Sequence, residues 1–173
     1  TNAFFDTAAD HETLLIRPRD ITDNAIPSGT ALATDVLLRA GSLLEKRAWI
    51  EIGRSCLEQL APTAARAPLG FGRLLCALDF ELAKPIELAI IGATPGSRKP
   101  FIDRLRRRYL PNLVLAGGAE GDLPDIPLLR DRRAVDGRAT AYLCEAFVCQ
   151  LPTAEPAQLE TQIDLIAPVI TST

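Results

Sequence analysis

Pro85-Ile86-Glu87-Leu88-Ala89-Ile90-Ile91-Gly92-Ala93-Thr94-Pro95-Gly96 marks the point where the pattern of this 173-residue chain changes. Residues 86–91 are apolar except Glu87 and rich in β-branched side chains, which reads as a buried strand. Residues 92–96 form a loop, and Ser97 is placed to cap a helix over 97–109. Asn112-Leu113-Val114-Leu115-Ala116 is a second strand. Strand, helix, strand in succession is a βαβ unit, so the two strands should run parallel.

Toward the N-terminus the apolar period is helical. Leu32, Val36, Leu37, Ala40, Leu43 and Leu44 recur near every 3.6 residues, beginning at Ser28. Trp49, Ile50, Ile52, Cys56, Leu57 and Leu60 give a second helical face that should end at Pro62. The two read as an αα-hairpin. A third helix over 68–83 carries Leu74, Leu75, Leu78 and Leu82 on one side. Cys56 and Cys76 sit in these stretches and read as buried free thiols.

Toward the C-terminus, residues 117–137 are rich in Gly, Pro and Asp and read as a surface excursion tethered by Ile126-Pro127-Leu128-Leu129. Residues 139–149 read as one strand closing at Pro152, and 156–166 as a terminal helix. The fold class is therefore α+β. Helical hairpins fill 1–83, and a small α/β unit with a mixed sheet from 86–91, 112–116 and 139–149 fills 84–173.

Hydrophobic residues make up 47% of the chain, charged residues 24%, and the net charge is −3. That suits one compact soluble domain, or a large piece of one. The mild acidity argues against nucleic-acid binding. No apolar run reaches membrane-spanning length and no signal-peptide pattern opens the chain. There is no Met, which suggests a processed product or a piece of something longer. Four scattered Cys do not look like a secreted disulfide framework, so a reducing cytoplasm is the default. His11 is the single histidine, and no second one completes a metal site. No metal or cofactor is expected.

The polar stretch with most to offer is Arg17-Pro18-Arg19-Asp20-Ile21-Thr22-Asp23-Asn24-Ala25-Ile26-Pro27-Ser28-Gly29-Thr30. Two prolines stiffen it, and Ser28 is a good N-cap. The positive end of the new helix points back at Asp20, Asp23 and Asn24. Asp23 and Asn24 should fold over that helix start, with Arg17 close to one of the acids. Such a corner either holds a ligand or is a hydrogen-bonded joint without chemistry.

Two weaker signals lie outside this corner. The 92–96 loop matches neither the dinucleotide fingerprint nor the P-loop, and Arg98, Lys99, Arg104, Arg106, Arg107 and Arg108 read as a solvated outer face. Cys144 and Cys149 invite a redox or metal reading. On one extended strand their side chains would point to opposite faces with Cα atoms about 16 Å apart, so only a bend or bulge between them would join them.

Phe5-Asp6-Thr7, Arg17-Pro-Arg-Asp with Asp23-Asn-Ala-Ile-Pro-Ser-Gly29, and Tyr142-Leu-Cys-Glu-Ala-Phe-Val-Cys-Gln-Leu-Pro152 together carry a resemblance over nearly the whole chain. It resembles the C-terminal part of the thioredoxin-domain-containing proteins related to spermatogenesis-associated protein 20. Thr30 departs from the pattern, where Asn is expected. The resemblance implies that 1–83 are the last hairpins of a six-hairpin, glycosidase-like α/α toroid, with 84–173 a small subdomain packed on it. It implies an N-terminal thioredoxin-like domain elsewhere in the polypeptide, and those remaining N-terminal domains as partners. The thioredoxin Cys-x-x-Cys motif is absent here, so thioredoxin activity does not reside in this piece. Arg17, Asp20, Asp23, Asn24 and Ser28 would line a toroid mouth that binds or processes a sugar or small metabolite. There carboxylates act as acid and base, and His11 is the one histidine for an epimerase-like proton transfer. The alternatives are a non-catalytic scaffold or interaction domain of a redox protein, and nucleotide binding through the 92–96 loop.

Overall fold

The computed structural model describes residues 4–8, 10, 16–83, 85–94, 96–145 and 148–167. The short apolar run Leu14-Leu15-Ile16, which the sequence marks as one extended segment, lies outside them except for Ile16, and His11 lies outside them too. The chain divides into two compact units, 1–83 and 84–173. Helices and a small mixed four-stranded sheet make the fold α+β.

The first unit holds α1 (Gly29–Leu43), α2 (Arg47–Arg66), a 3-10 turn at Pro68–Gly70 and α3 (Gly72–Leu82). Ser28 starts α1, its Oγ accepting the Ala31 N–H at 3.2 Å. Glu45, at φ 52°, turns the chain between α1 and α2. The two helices touch at small residues. A Cβ on Gly53 would lie 2.8 Å from the Leu38 side chain, and one on Gly41 would lie 2.7 Å from that of Ile50. Close approach of the helix backbones is what excludes a side chain at both positions.

Three expectations need correction here. Pro62 does not end α2, which continues to Arg66. A proline inside a helix loses one backbone bond, but Leu57, Leu60 and Ala64 are buried on either side of it and hold the helix on course. In α3 the buried stripe is Leu74, Ala77 and Phe80, while Leu82 is exposed. That rotation places Cys76 on the outside and leaves Cys56 as the buried thiol. Under native conditions a maleimide should therefore modify Cys76 rapidly and Cys56 only on unfolding. Mass spectrometry of the labelled peptides checks this, and equal rates would contradict it.

The second unit is built on β1 (Ile86–Gly92). It pairs parallel with β2 (Leu113–Ala119) on one side and antiparallel with β3 (Thr140–Glu145) on the other. Flanked on both edges, β1 can afford its near-continuous apolar sequence. One sheet face carries Ile86, Leu88, Ile90, Ala141 and Leu143 and packs against α4 (Lys99–Leu105) and α5 (Pro156–Ile166). Ion pairs from Arg104 to Glu160 and from Arg108 to Asp164 link the α4 segment to α5. The basic helix is thus only partly a solvated face, and it is shorter than 97–109. Ser97 does not cap it. The Ser97 hydroxyl instead closes the preceding loop, donating to the Thr94 carbonyl at 2.8 Å.

The opposite face lies under the 120–139 excursion, which Leu129 anchors at 2% exposure. The Tyr142 hydroxyl pins it further, donating to the Arg133 carbonyl at 2.7 Å. The segment read as one strand over 139–149 is two. β4 (Val148–Cys149) folds back antiparallel on β3, pairing Cys144 with Cys149 and Glu145 with Val148. Among the described residues no helix is long and apolar enough to cross a membrane.

Candidate functional site

The polar corner belongs to the first unit and is built by backbone hydrogen bonds. Asp23 accepts the Ser28 N–H at 2.9 Å through Oδ1 and the Arg73 N–H at 2.6 Å through Oδ2. Its own N–H donates to the Gly70 carbonyl at 2.7 Å. One carboxylate therefore serves the starts of α1 and α3 together, where unpaired N–H groups and the helix dipoles favour negative charge. Folding of Asp23 over the Ser28 helix was expected. The second helix, fifty residues away in sequence, was not.

The other corner residues are spent in similar ways. Asp20 Oδ1 accepts from the Thr22 N–H at 3.1 Å and the Thr22 hydroxyl at 3.2 Å. The Asp20 N–H donates to Asp6 Oδ2 at 2.8 Å, and its carbonyl accepts from the buried Thr30 hydroxyl at 3.0 Å. Thr30 thus has a polar role of its own. The backbone N–H of exposed Asn24 donates to the Ile26 carbonyl at 3.1 Å. Arg17 corrects an expectation. It donates to the Thr7 carbonyl at 2.6 Å and lies over the Phe5 ring at 4.2 Å, and not against Asp20 or Asp23. Cation–π contact and a carbonyl acceptor satisfy it locally, within the 5–7 segment.

Beneath the corner lies a group that the sequence reading missed. Asp35, 2% exposed on α1, accepts from Arg39 Nε at 2.8 Å and from Arg73 Nη2. Arg39 in turn covers the Phe80 ring at 4.4 Å. Arg73 thus joins two acids, its backbone on Asp23 and its side chain on Asp35. An aspartate four residues before an arginine, between the buried Ala31 and Leu38, was the available signal.

The second constellation lies in the other unit, and it overturns the separation expected for the cysteines. Cys144 and Cys149 form a disulfide, with Cα atoms 3.9 Å apart. The Gln150 N–H donates to the Leu143 carbonyl at 2.9 Å, which makes Leu143–Gln150 a hydrogen-bonded pair and the adjacent Cys144–Cys149 a non-hydrogen-bonded one. Non-hydrogen-bonded sites bring facing side chains closest, so the hairpin itself presents the two sulfurs to each other. Arg132, from the excursion, points Nη2 at both, 3.4 Å from Cys144 Sγ and 3.9 Å from Cys149 Sγ. Its guanidinium sits 5.4 Å from the Tyr142 ring centre. Glu87 lies directly across β1 from Cys144, on the same face. Burial pulls the Arg132 pKa down, and Glu87 and Tyr142 pull it back up. An arginine remains a cation at neutral pH under such pressures. Among the described residues no cluster of metal-ligating side chains is present.

No protein-family model and no solved structure matches the chain. Curated proteins do. Spermatogenesis-associated protein 20 of Homo sapiens is 26% identical over 151 residues, covering 84% of this chain and 19% of that protein. The Rattus norvegicus protein of the same name matches to the same extent. These matches support a relation to that family. An uncharacterized protein of Caenorhabditis elegans is 25% identical over 162 residues, 92% of this chain and 22% of its own. The chain spans about a fifth of the length of these relatives.

Proposed function

We propose that this chain is the C-terminal portion of a protein like spermatogenesis-associated protein 20, acting as a non-catalytic scaffold and interaction region of a redox protein. Residues 1–83 are its last helical hairpins, ending a glycosidase-like α/α toroid, and the N-terminal domains of the same polypeptide are its first partners. The observation that favours this over sugar processing is the state of Asp23. A general acid or base needs a carboxyl group free to exchange a proton with substrate. Both Asp23 oxygens are instead committed to backbone N–H groups at two helix starts, and Arg17 is turned away. Protonating Asp23 would weaken both of those bonds.

A thermal-shift screen of the full-length protein against neutral, amino and acidic sugars tests the reading. No saturable shift is expected. A shift that Asp23→Asn abolishes while the unliganded melting temperature is kept would overturn it in favour of a sugar site.

A further inference from the structure

We infer that Cys144–Cys149 is a redox-active disulfide, attacked at Cys149 by an external dithiol and assisted by Arg132. The two sulfurs are unequal. Cys144 is 1% exposed, while Cys149 lies on the two-residue edge strand and is exposed. An incoming thiolate therefore reaches Cys149 Sγ. Its electron pair forms the new sulfur–sulfur bond, the Cys144–Cys149 bond breaks, and Cys144 leaves as a thiolate. That leaving sulfur is the one nearer Arg132 Nη2, at 3.4 Å. The second thiol of the dithiol loses its proton to solvent and attacks its neighbour in the mixed disulfide, and Cys149 leaves and is protonated. Two electrons pass from the dithiol to the protein, and the dithiol becomes a cyclic disulfide.

Thiol–disulfide exchange is faster when the leaving thiol has a lower pKa. Burial alone would raise the Cys144 pKa, and the Glu87 carboxylate across β1 acts in the same direction. The Arg132 guanidinium opposes both at contact distance. Arg132 Nη1 is buried without a hydrogen-bond partner among the described residues. An arginine placed only to brace the excursion has no need to aim at two sulfurs with a donor left unspent. A newly formed Cys144 thiolate places a second anion, in addition to Glu87, within reach of that cation.

The test uses the full oxidised chain at pH 7. Dithiothreitol should open the disulfide without denaturant and with the circular dichroism retained, as read by the mass of alkylated Cys144 and Cys149. Glutathione, a monothiol, should stop at a mixed disulfide that peptide mapping after acid quench places on Cys149. Arg132→Gln should slow reduction by about tenfold or more, and Arg132→Lys should restore most of it. In the reduced wild type Cys144 should titrate below the ordinary thiol value of about 8.5, and in Arg132→Gln at or above it. Reduction only in denaturant, or glutathione found on Cys144, would overturn the inference. So would an unchanged rate in folded Arg132→Gln. The glutathione mapping needs no variant, so it decides the matter even if Arg132→Gln fails to fold.

Discussion

Asp35→Ala is expected to destabilise the helical unit by about 2–4 kcal/mol. The carboxylate is 2% exposed and holds two arginines, Arg39 one turn along α1 and Arg73 from α3. Removing one partner of a buried charge group costs about 3–5 kcal/mol when the remaining charge is left stranded. Here the arginine side chains are 30% and 37% exposed, so both can turn partly back into water. That moves the expectation toward the lower part of the range. Asp35→Asn keeps the shape and one acceptor, so its cost should be about half. Urea denaturation followed by the fluorescence of Trp49 is the measurement, since the chain has one Trp and it lies on α2. A loss below about 0.5 kcal/mol for Asp35→Ala would place it among ordinary surface ion pairs and refute the assignment.

Much of this fold is legible in the sequence where a local rule decides it. The change from a helical period to the β-branched run Ile86-Glu87-Leu88-Ala89-Ile90-Ile91 marks β1, and the βαβ spacing marks the parallel pairing with β2. Ser28 marks the start of α1. The misreadings occur where a distant contact overrides a local rule. Pro62 would end an isolated helix, but packing on both sides carries α2 through it. Between Glu145 and Val148 stand Ala146 and Phe147, with none of the Gly, Asn, Asp or Pro that announce a two-residue turn. The run from 139 to 149 therefore looks like one strand, and the cross-strand sulfurs stay hidden. Arg132 is twelve residues from Cys144 in a loop, and nothing in its neighbours predicts where it points. Half of the polar corner was readable for the same reason. Asp23 over its own helix start is a local motif, whereas Asp23 on Arg73 and Arg73 on Asp35 depend on how α3 packs.

That packing makes Asp23 the second large effect. A single capping side chain is worth about 0.5–2 kcal/mol. Asp23 serves two helix starts with one charge, so Asp23→Ala is expected to cost about 2–4 kcal/mol, because each lost bond leaves a backbone N–H less well satisfied. Asp23→Asn should cost about 1–2 kcal/mol, since the amide keeps one acceptor and presents a donor to the other N–H. Arg73 also makes a stronger statement testable. Its backbone is held by Asp23 and its side chain by Asp35, so the two acids share a partner although they sit on different elements. Once Asp23 is gone the start of α3 loosens, and the Arg73 guanidinium holds Asp35 less firmly. Asp35→Ala should then cost less in the Asp23→Ala background than in the wild type, with a coupling of about 0.5–1.5 kcal/mol in a double-mutant cycle read by Trp49. Strict additivity would show that Asp23 caps α1 alone and that its bond to Arg73 contributes nothing to the joint.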